Sequence, residues 1–395
     1  MLRVLTLATL FPNAHRPNLG GFVARQTQGL AALENVEVEV VAPVGRPPWP
    51  LSRHPHYAPL AALPDAETWD GLRVHRPRFP VLPVVGQGWT ARLLARALTP
   101  MLAELRGRFP FDVIDAEFFW PDGPAAVALG HRLGVPVSIK ARGADVHYWG
   151  RRRGTSRQVL AAGRRAEGLL AVSGALADDM AALGMERERI TVHHTGVDLE
   201  RFKPTDKAAA KQALGIAGPL VVAPGALIER KGQAIAIDAL RSLPGATLML
   251  VGEGPDRPAL ERQAAGQGDR IRFTGAVPNA RVAELLAAAD LMLLPTRSEG
   301  LANVWVEAMA CGTPVVTCDV GGAREAIPDD CGRLVPREPA ALAAAAWHLI
   351  AHPPAPERLR EAAARFSWQR NAAELRDHLA ALVAKPSPHP QPHSG

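Results

Sequence analysis

Residues 291–319 read LMLLPTRSEGLANVWVEAMACGTPVVTCD, and their pattern predicts a strand, a loop, a helix and a second strand. The apolar run LMLLP ends at Pro295, and VWVEAMAC has the length of a short helix that Gly312 ends. The run PVVTCD then starts the next strand. Because two apolar strands joined by a helix are typical of a parallel sheet, this stretch predicts one β-α-β unit.

The same alternation continues through almost the whole chain. Further strand candidates in the first half are LRVLTLA, VEVEVVAP, LRVHRP, FDVIDAE, PVSIKA, GLLAVS and ITVHHTGV. Those in the second half are LVVAPG, TLMLVGEG, RIRFTGAV and GRLVP. The pattern predicts an α/β protein with two parallel sheets of about six strands each. We expect two Rossmann-like domains that face each other across a cleft, with ligands at the carboxyl ends of the strands.

The segment HHTGVDLERFKPTDKAAAK predicts the linker between these domains, because it contains only one short apolar element. The predicted N-terminal domain covers 1–198 and the C-terminal domain 199–366. A C-terminal helix is predicted over 367–384, followed by a disordered tail rich in Pro and His over 385–395. The Pro-rich stretch 45–67 is interpreted as a long irregular loop of the first domain.

The composition is that of an ordinary globular protein, with 47% hydrophobic and 21% charged residues. No apolar run approaches the ~20 residues that a membrane helix needs. The opening MLRVLTLATLF is interpreted as a buried strand, because it lacks a clear cleavage site of small residues. Three clustered cysteines are too few for a disulfide framework, so we expect a reduced, cytoplasmic setting.

The net charge of +6 lies entirely in the first half, where residues 1–195 contain 23 Lys and Arg against 17 Asp and Glu. This excess suits an anionic partner, such as a phospholipid surface or a pyrophosphate-linked acceptor. A solvated arginine-rich surface is the alternative. The basic run 151–165 lacks the interleaved aromatic residues of a nucleic-acid site. Residues 88–109 could lie on a membrane surface, although packing on the first sheet is the favoured interpretation.

Two carboxylates lie around the predicted junction of loop and helix, Glu299 at the end of the strand and Glu307 near the first turns of the helix. Free N–H groups at the helix start can bind an anion. Because a carboxylate would repel a phosphate, we expect the acids to accept hydrogen bonds from hydroxyl groups. A nucleotide sugar supplies both groups. The alternative is a Glu307 that only favours the helix start and a solvated Glu299.

A second candidate cluster lies in VVAPGALIERKGQAIAIDAL, residues 221–240. A strand ends at Gly225, and a loop with Arg230, Lys231 and Gly232 leads into a helix. A cation at this turn is placed to neutralise a diphosphate, especially one that gains charge as a leaving group. A solvated basic turn is the alternative, and the nearby Gly321-Gly322 pair weighs against it.

Taken together, these segments resemble the retaining, GT-B-fold glycosyltransferases of family GT4. The most specific segment is SEGLANVWVEAMACGTPVV with the following GGAREAI. Weaker matches are FPNAHRPNLGGFVARQ, ARGADV, TGVDLERFKP, GALIERKG, VGEGP and FTGAV. The resemblance spans nearly the whole chain. It implies transfer of a hexose from a nucleotide diphosphate sugar to a hydroxyl acceptor, with retention and with no metal or other cofactor.

The resemblance also implies roles for individual residues. Glu299 and Lys231 would be catalytic, with Glu299 on the donor hexose and Lys231 on the diphosphate. Glu307 would bind the ribose. The other implied donor-site residues are Gly20, Gly21, Arg230, Gly300, Leu301, Ala302 and Asn303, the last as an N-cap. Arg142 and Asp145 are predicted on the acceptor side, and no metal ligand is predicted.

The chain departs from the family pattern at some positions. Ala226 stands where members usually have a basic residue, which removes one diphosphate contact. Arg142 stands where many members have His, and an arginine stays charged and cannot act as a base. Ala302 replaces a glycine of the loop.

The expected acceptor is a saccharide, such as a lipid-linked one of polysaccharide or cell-envelope biosynthesis. We expect no nucleic-acid partner, and a cytoplasmic location that includes the inner face of the membrane as an option. Two rival functions remain. One is a catalytically silent nucleotide-sugar sensor, for which Ala226 is the only hint, and the other is a nucleotide-sugar epimerase of similar two-domain build. The pair His193-His194 is interpreted as structural, because no third metal ligand is evident.

Overall fold

The computed structural model describes residues 1–82 and 86–385. It divides into two compact units. Unit 1 comprises Met1–Thr195 and the C-terminal segment from Trp368, and unit 2 comprises Gly196–Ser367. The predicted boundary lay at 198/199, and the predicted C-terminal helix is part of unit 1. The predicted tail lies outside the described residues, apart from its first residue.

The strands of unit 1 are β1 (Leu2–Leu7), β2 (Val36–Val41), β3 (Val44–Arg46), β4 (Ala66–Trp69), β5 (Leu72–His75), β6 (Arg78–Pro80), β7 (Val113–Ala116), β8 (Val137–Ala141), β9 (Gly168–Ala171) and β10 (Ile190–Val192). Those of unit 2 are β11 (Leu220–Pro224), β12 (Thr247–Val251), β13 (Ile271–Gly275), β14 (Leu291–Leu294), β15 (Val315–Thr317) and β16 (Gly332–Leu334). Each of the thirteen predicted apolar runs contains one of these strands.

The helices of unit 1 before the linker are α1 (Gly21–Ala31), α2 (Thr90–Arg108), α3 (Asp122–Leu133), α4 (Ala144–His147), α5 (Ser156–Arg165) and α6 (Gly174–Ala182). Unit 2 contains α7 (Lys207–Ala213), α8 (Gln233–Leu240), α9 (Arg257–Ala264), α10 (Asn279–Ala288), α11 (Asn303–Ala310), α12 (Ala323–Ala326), α13 (Pro339–Ala351) and α14 (Pro356–Ala364). The last helix, α15 (Trp368–Ala384), belongs to unit 1. Throughout the described ranges, every helix is too short or too polar to cross a membrane.

The sheet of unit 1 has eight strands in the order β10-β9-β8-β7-β1-β2-β5-β4. All neighbours are parallel except the edge strand β4, which is antiparallel to β5. The stretch 45–67 was predicted to be irregular, but it contains the end of β3, two 3₁₀ turns and the start of β4. These elements were missed because their residues are mostly Pro and polar and do not form an apolar run.

The sheet of unit 2 is entirely parallel, with the order β13-β12-β11-β14-β15-β16. In chain order this is 3-2-1-4-5-6, the strand order of a dinucleotide-binding Rossmann sheet. Its four inner strands are buried on both faces, which explains their continuous runs of Val, Leu and Met, and the edge strands β13 and β16 are partly exposed. The direction of winding reverses between β11 and β14, so the loops after these two strands form the expected ligand-binding edge.

Helix α15 packs on α1 and on the sheet of unit 1. Its residues Leu375 and Leu379 join a buried cluster with Val4, Leu30 and Leu170. The same helix makes polar contacts, since Asn371 Nδ2 donates to the carbonyl of His194 at 2.6 Å. Burial of its apolar face therefore holds the C-terminal helix in the first unit.

Candidate functional site

The two predicted catalytic side chains of unit 2 lie in the loops that leave β11 and β14. Lys231 ends a 3₁₀ turn that follows β11, and Glu299 lies in the loop between β14 and α11. Since β11 and β14 are hydrogen-bonded neighbours, both loops leave the same edge of the sheet. This is the point where the winding of the sheet reverses.

Gly232 allows these two loops to approach closely. Its φ is +77°, and a Cβ atom there would lie 2.1 Å from the carbonyl oxygen of Pro295. A side chain would therefore be excluded by both conformation and space. The backbone N–H of Arg297 also donates to the carbonyl of Arg230 at 2.8 Å. The sequence Arg230-Lys231-Gly232 thus fixes a cation against the end of β14.

Lys231 and Glu299 are in direct contact, with 2.6 Å between Nζ and Oε1. The same carboxylate oxygen accepts hydrogen bonds from Thr296 Oγ1 at 2.8 Å and Arg230 Nη1 at 3.1 Å. The Lys231 and Glu299 side chains are 15% and 11% exposed. Among the described residues, none donates to Glu299 Oε2. One carboxylate oxygen is therefore anchored and the other is available to a hydroxyl donor.

A pair of glycines after β15 supports the Glu299 loop. Gly321 has a φ of +50°, and a Cβ atom there would lie 1.9 Å from the carbonyl oxygen of Glu299. The N–H of Gly322 donates to the carbonyl of Gly300 at 2.8 Å. Only glycine allows this approach, which explains Gly321 beside the acid motif.

Helix α11 begins at Asn303, so the prediction that Asn303 is its N-cap is wrong. The N-cap residue is Ala302, whose backbone is extended and whose methyl group cannot accept a hydrogen bond. The first N–H groups of α11 therefore have no side-chain cap. Leu301 and Ala302 are buried, so they can face a ligand mainly through their backbone. At the other end, Gly312 adopts a φ of +73° just after the helix, as predicted.

Glu307 lies in the middle of α11 and is partly buried. Burial raises the pKa of its carboxyl group to about 7, and the positive charge of Arg201 opposes this shift. No hydrogen bond or ion pair joins Glu307 to Glu299 or Lys231 within the described part of the chain. The structure thus brings two of the three predicted residues into contact and places the third on the adjoining helix.

The missing basic residue at position 226 is not replaced by a free cation from the same loop. Ala226 is exposed, and its carbonyl accepts a hydrogen bond from Gln233 Nε2 at 2.9 Å. Arg230 is instead bound to Glu299 and to the carbonyl of Ser298. Both cations of this loop, Lys231 and Arg230, are paired with Glu299, so a diphosphate at this edge would have to compete with that carboxylate for either of them.

In unit 1, Gly20 and Gly21 form the start of α1. Gly20 is the N-cap with a φ of +64°, and a Cβ atom there would lie 2.1 Å from the carbonyl oxygen of Leu10. Gly21 faces open space. The loop after β1 can therefore fold tightly over the helix start, where the first N–H groups have no helical acceptor.

Arg142 and Asp145 follow β8; the Arg142 side chain is 6% exposed and Asp145 is fully buried. The Arg142 guanidinium pairs with Glu117, donates to the Glu117 carbonyl at 3.0 Å and lies 4.7 Å from the ring centre of Phe22. The Asp145 carboxylate accepts backbone N–H groups from Phe119, Arg142, Gly143 and Val146. Asp145 is fully buried, so it holds the loop that carries Arg142. The acceptor-side role of both residues stays a prediction.

A buried polar network continues from Arg142 and was not recognised in the sequence. Lys140 Nζ donates to Gln26 Oε1 at 2.7 Å and lies 2.8 Å from His193 Nδ1. Burial and the neighbouring Arg142 charge lower the pKa of Lys140 to about 7. The only signal was a lysine inside the apolar strand PVSIKA. His193 is buried in this network, which agrees with its interpretation as a structural residue.

Comparison with known proteins finds two family models that together cover most of the chain. Residues 218–352 match the model described as "Glycosyl transferases group 1". Residues 20–201 match the model described as "Glycosyltransferase Family 4". The first match lies within unit 2, and the second lies almost entirely within unit 1.

Full-length relatives and solved structures agree with this match. TuaC of Bacillus subtilis (strain 168), named for teichuronic acid biosynthesis, is 29% identical over 93% of this chain and 90% of its own. A D-inositol 3-phosphate glycosyltransferase of Frankia alni is 30% identical over 92% of this chain and 94% of its own. Sucrose-phosphate synthase of Thermosynechococcus elongatus superposes with a TM-score of 0.81 at 22% identity. The match covers 97% of this chain and 100% of the synthase chain. HepE of Anabaena, in complex with UDP-glucose, superposes with a TM-score of 0.69 at 21% identity. The match covers 96% of this chain and 100% of the HepE chain. These neighbours have the GT-B fold.

Proposed function

Because this chain belongs to glycosyltransferase family 4, the group 1 glycosyl transferases, we propose that it transfers a hexose from a nucleotide diphosphate sugar to a hydroxyl acceptor with retention of configuration. The observation that carries this proposal is the contact between Lys231 and Glu299 at the edge where the winding of the unit 2 sheet reverses. Complexes of the fold neighbour HepE with UDP and UDP-glucose support a nucleotide-sugar donor.

Lys231 and Arg230 would stabilise the diphosphate as it leaves. Breaking the bond between the sugar and the phosphate places extra negative charge on the terminal phosphate oxygen. A partly buried ammonium group stabilises that charge more strongly than water does, because the local dielectric constant is low. In the free protein Glu299 neutralises these cations, so the approaching diphosphate would compete for them.

Glu299 would hold the hexose through Oε2 and stabilise positive charge on the ring as the leaving group departs. Retention follows if an oxygen of the leaving phosphate accepts the proton of the incoming hydroxyl on the same face of the sugar. We propose that no metal or other cofactor takes part. Turnover that falls in excess EDTA would contradict that part of the proposal.

The proposed acceptor is a saccharide of polysaccharide or cell-envelope assembly, and the proposed setting is the cytoplasm. The name of TuaC and its match over most of both chains support this choice. Relatives that act on D-inositol 3-phosphate support a hydroxylated ring as the alternative acceptor.

A purified preparation of the full chain tests the activity directly. We expect slow release of free sugar when it is incubated with one of the UDP-, GDP- or ADP-hexoses, because water replaces the absent acceptor. Release of sugar supports a transferase. Tight donor binding without any turnover would support the silent sensor, and conversion of the donor into an epimer would support the epimerase.

Contact with the membrane is proposed through a surface on which two basic segments meet. Gln158 Nε2 donates to the carbonyls of Gly88 and Gly154 at 2.7 and 2.8 Å, which joins the start of α2 to the start of α5. The resulting basic-aromatic patch consists of the exposed residues Trp89, Arg92, Arg96, Tyr148, Arg151, Arg152, Arg153 and Arg157. Trp89 is 68% exposed. Exposed aromatic residues among arginines suit an anionic lipid surface.

We expect the chain to sediment with vesicles of phosphatidylglycerol but not with vesicles of pure phosphatidylcholine. Replacing Arg151, Arg152 and Arg153 by Ser should weaken this binding about a hundredfold, at about 1 kcal/mol for each arginine. The matched control replaces the exposed Arg241, Arg262 and Arg281 of unit 2 by Ser. An equal loss in both variants would mean that net charge alone, and not the patch, drives binding.

Donor affinity should depend on pH through Glu307. A Glu307 carboxylate that accepts hydrogen bonds from ribose hydroxyls binds the donor only in its ionised form. With a pKa of about 7, the ionised fraction rises about tenfold between pH 6 and pH 8, so the Kd for UDP-glucose should fall by about the same factor. Calorimetric titration of the wild type and of Glu307→Gln checks this. A Glu307→Gln variant that keeps the full pH dependence would remove Glu307 from the donor site.

A further inference from the structure

Unit 1 contains a cavity of about 290 Å³ that none of the predicted site residues lines. Its walls come from the loops after β1, β2 and β5 and from the start of α2. Further wall residues lie in β3, in the 3₁₀ turn at 58–62 and just after β6. It therefore lies at the carboxyl edge of the unit 1 sheet, where such sheets bind ligands. The volume is at the small end of the range for ligand pockets, about 300–1,000 Å³, and suits a single six-membered ring with one substituent.

The walls of the cavity contain both apolar and polar side chains. Phe11, Val44 and Leu60 supply apolar surface for the C–H faces of a ring. Gln87 Oε1 is buried and accepts no hydrogen bond from any residue that the structure describes. A buried acceptor without a donor is unfavourable, because it has lost its hydrogen bonds to water. A hydroxyl group of a ligand would satisfy it.

The charged lining of the cavity is entirely basic. Arg16 and Arg76 line it, and no Asp or Glu does so among the described residues. Arg76 is neutralised, since its Nε donates to Glu67 and its Nη2 to the carbonyl of Pro12 at 2.7 Å. Arg16 Nη2 donates to the carbonyl of His56 at 2.8 Å, and Arg16 makes no ion pair with any residue that the structure describes. One half-buried cation is thus left for an anionic ligand.

Asn13 holds Arg16 in this position. Its side-chain oxygen accepts the backbone N–H groups of His15 and Arg16, both at 3.0 Å. Asn13 itself is buried, and its amide group is another donor on the cavity wall. The cation therefore stands on an ordered turn beside a polar wall, in contrast to a mobile surface arginine.

We propose that this cavity binds a hydroxylated ring that carries a phosphate group, with Arg16 on the phosphate and Gln87 on a ring hydroxyl. The inference rests on the proposed function only in naming this ligand the acceptor of the glycosyl group. A free polyol phosphate and the phosphate-linked sugar of a lipid-linked saccharide share this chemistry. Both offer ring hydroxyls to a neutral acceptor and phosphate oxygens to a guanidinium group.

Calorimetric titrations of the full chain test the proposal, with saturating UDP present to occupy the donor site. The probes are myo-inositol 1-phosphate, myo-inositol and inorganic phosphate. We expect the phosphorylated ring to bind at least tenfold more tightly than either of its parts. Arg16→Gln should remove this advantage. Gln87→Leu should weaken both inositol probes but leave inorganic phosphate unchanged. Arg132→Gln, an exposed arginine of α3, is the matched control and should change nothing.

Equal affinity for the three probes, or binding that neither Arg16→Gln nor Gln87→Leu alters in folded protein, would overturn the proposal. Thermal unfolding of each variant establishes that it is folded. Displacement of myo-inositol 1-phosphate by a water-soluble, short-chain prenyl diphosphate saccharide would assign the cavity to a lipid-linked acceptor. Without displacement, the assignment is a free phosphorylated polyol. Arg16-dependent binding in a protein that releases no sugar from any donor would refute the transferase but keep this cavity as a binding site.

Discussion

Glu299→Ala should lower the rate of sugar release from the donor at least about a thousandfold. The reason is that Glu299 Oε2 is the open carboxylate oxygen at the donor edge of unit 2 and would stabilise the transition state. A loss of this size corresponds to about 4 kcal/mol of transition-state stabilisation. Donor binding should stay the same or strengthen, because removing the carboxylate frees Lys231 and Arg230 for the diphosphate.

Steady-state rates and calorimetric binding of UDP-glucose separate these two effects. Glu229→Ala is the matched control, since Glu229 lies two residues before Lys231, is exposed and pairs with Arg297 at 2.8 Å. It should stay near the wild-type rate. Glu299→Gln should resemble Glu299→Ala if the negative charge matters, and the wild type if only the hydrogen bond does. Full turnover in Glu299→Ala would refute the role assigned to Glu299.

Lys231→Ala should lower kcat/KM about a hundredfold to a thousandfold and weaken UDP binding about tenfold. The ammonium group contacts the diphosphate in both the bound donor and the product. Its attraction to the diphosphate becomes strongest as the leaving group becomes more negative in the transition state. The fold should survive, because Glu299 keeps its contacts to Arg230 and Thr296. Lys231→Arg should recover part of the lost rate, because arginine restores the positive charge on a side chain of different shape.

Lys211→Ala is the matched control for this change. Lys211 also lies in unit 2 and pairs with Asp290 at 2.7 Å, with a side-chain exposure of 18%. Loss of either ion pair should lower the urea midpoint of unfolding to a similar extent, but only the loss of Lys231 should lower the rate. If both variants were equally active, or equally impaired, Lys231 would have a structural role and no role in transfer.

Much of the fold was predictable because most strands are buried on both faces. Every apolar run that was assigned to a strand contains one, and the short helix before Gly312 is present. The elements that were missed, β3, β4 and β6, lie in stretches rich in Pro and polar residues. β3 and β6 pair across more than 30 residues, with Val44 opposite Arg78, and local periodicity does not predict such a pairing. β4 pairs with the neighbouring β5 across the turn at Asp70-Gly71.

The candidate site was predictable in its residue types and less so in its geometry. Lys231 and Glu299 were identified from strand-loop-helix patterns and a family resemblance, and they are in contact although 68 residues separate them. The prediction that Asn303 is the N-cap of α11 was wrong, since Asn303 is the first residue of the helix. The exact residue at which a helix begins depends on the backbone of the preceding loop. The network of Gln26, Lys140 and His193 was missed because each residue lies on a different element.

The sequence by itself determined the alternation of strands and helices and the positions of the charged residues at strand ends. Both follow from local chemistry, since apolar runs are buried and glycines allow tight turns. Only the tertiary structure decided that β11 and β14 are neighbours, that α15 returns to unit 1, and that Arg16 and Gln87 share one cavity. These features depend on contacts between segments that are distant in the chain. Such contacts stabilise the protein only once the whole chain has packed.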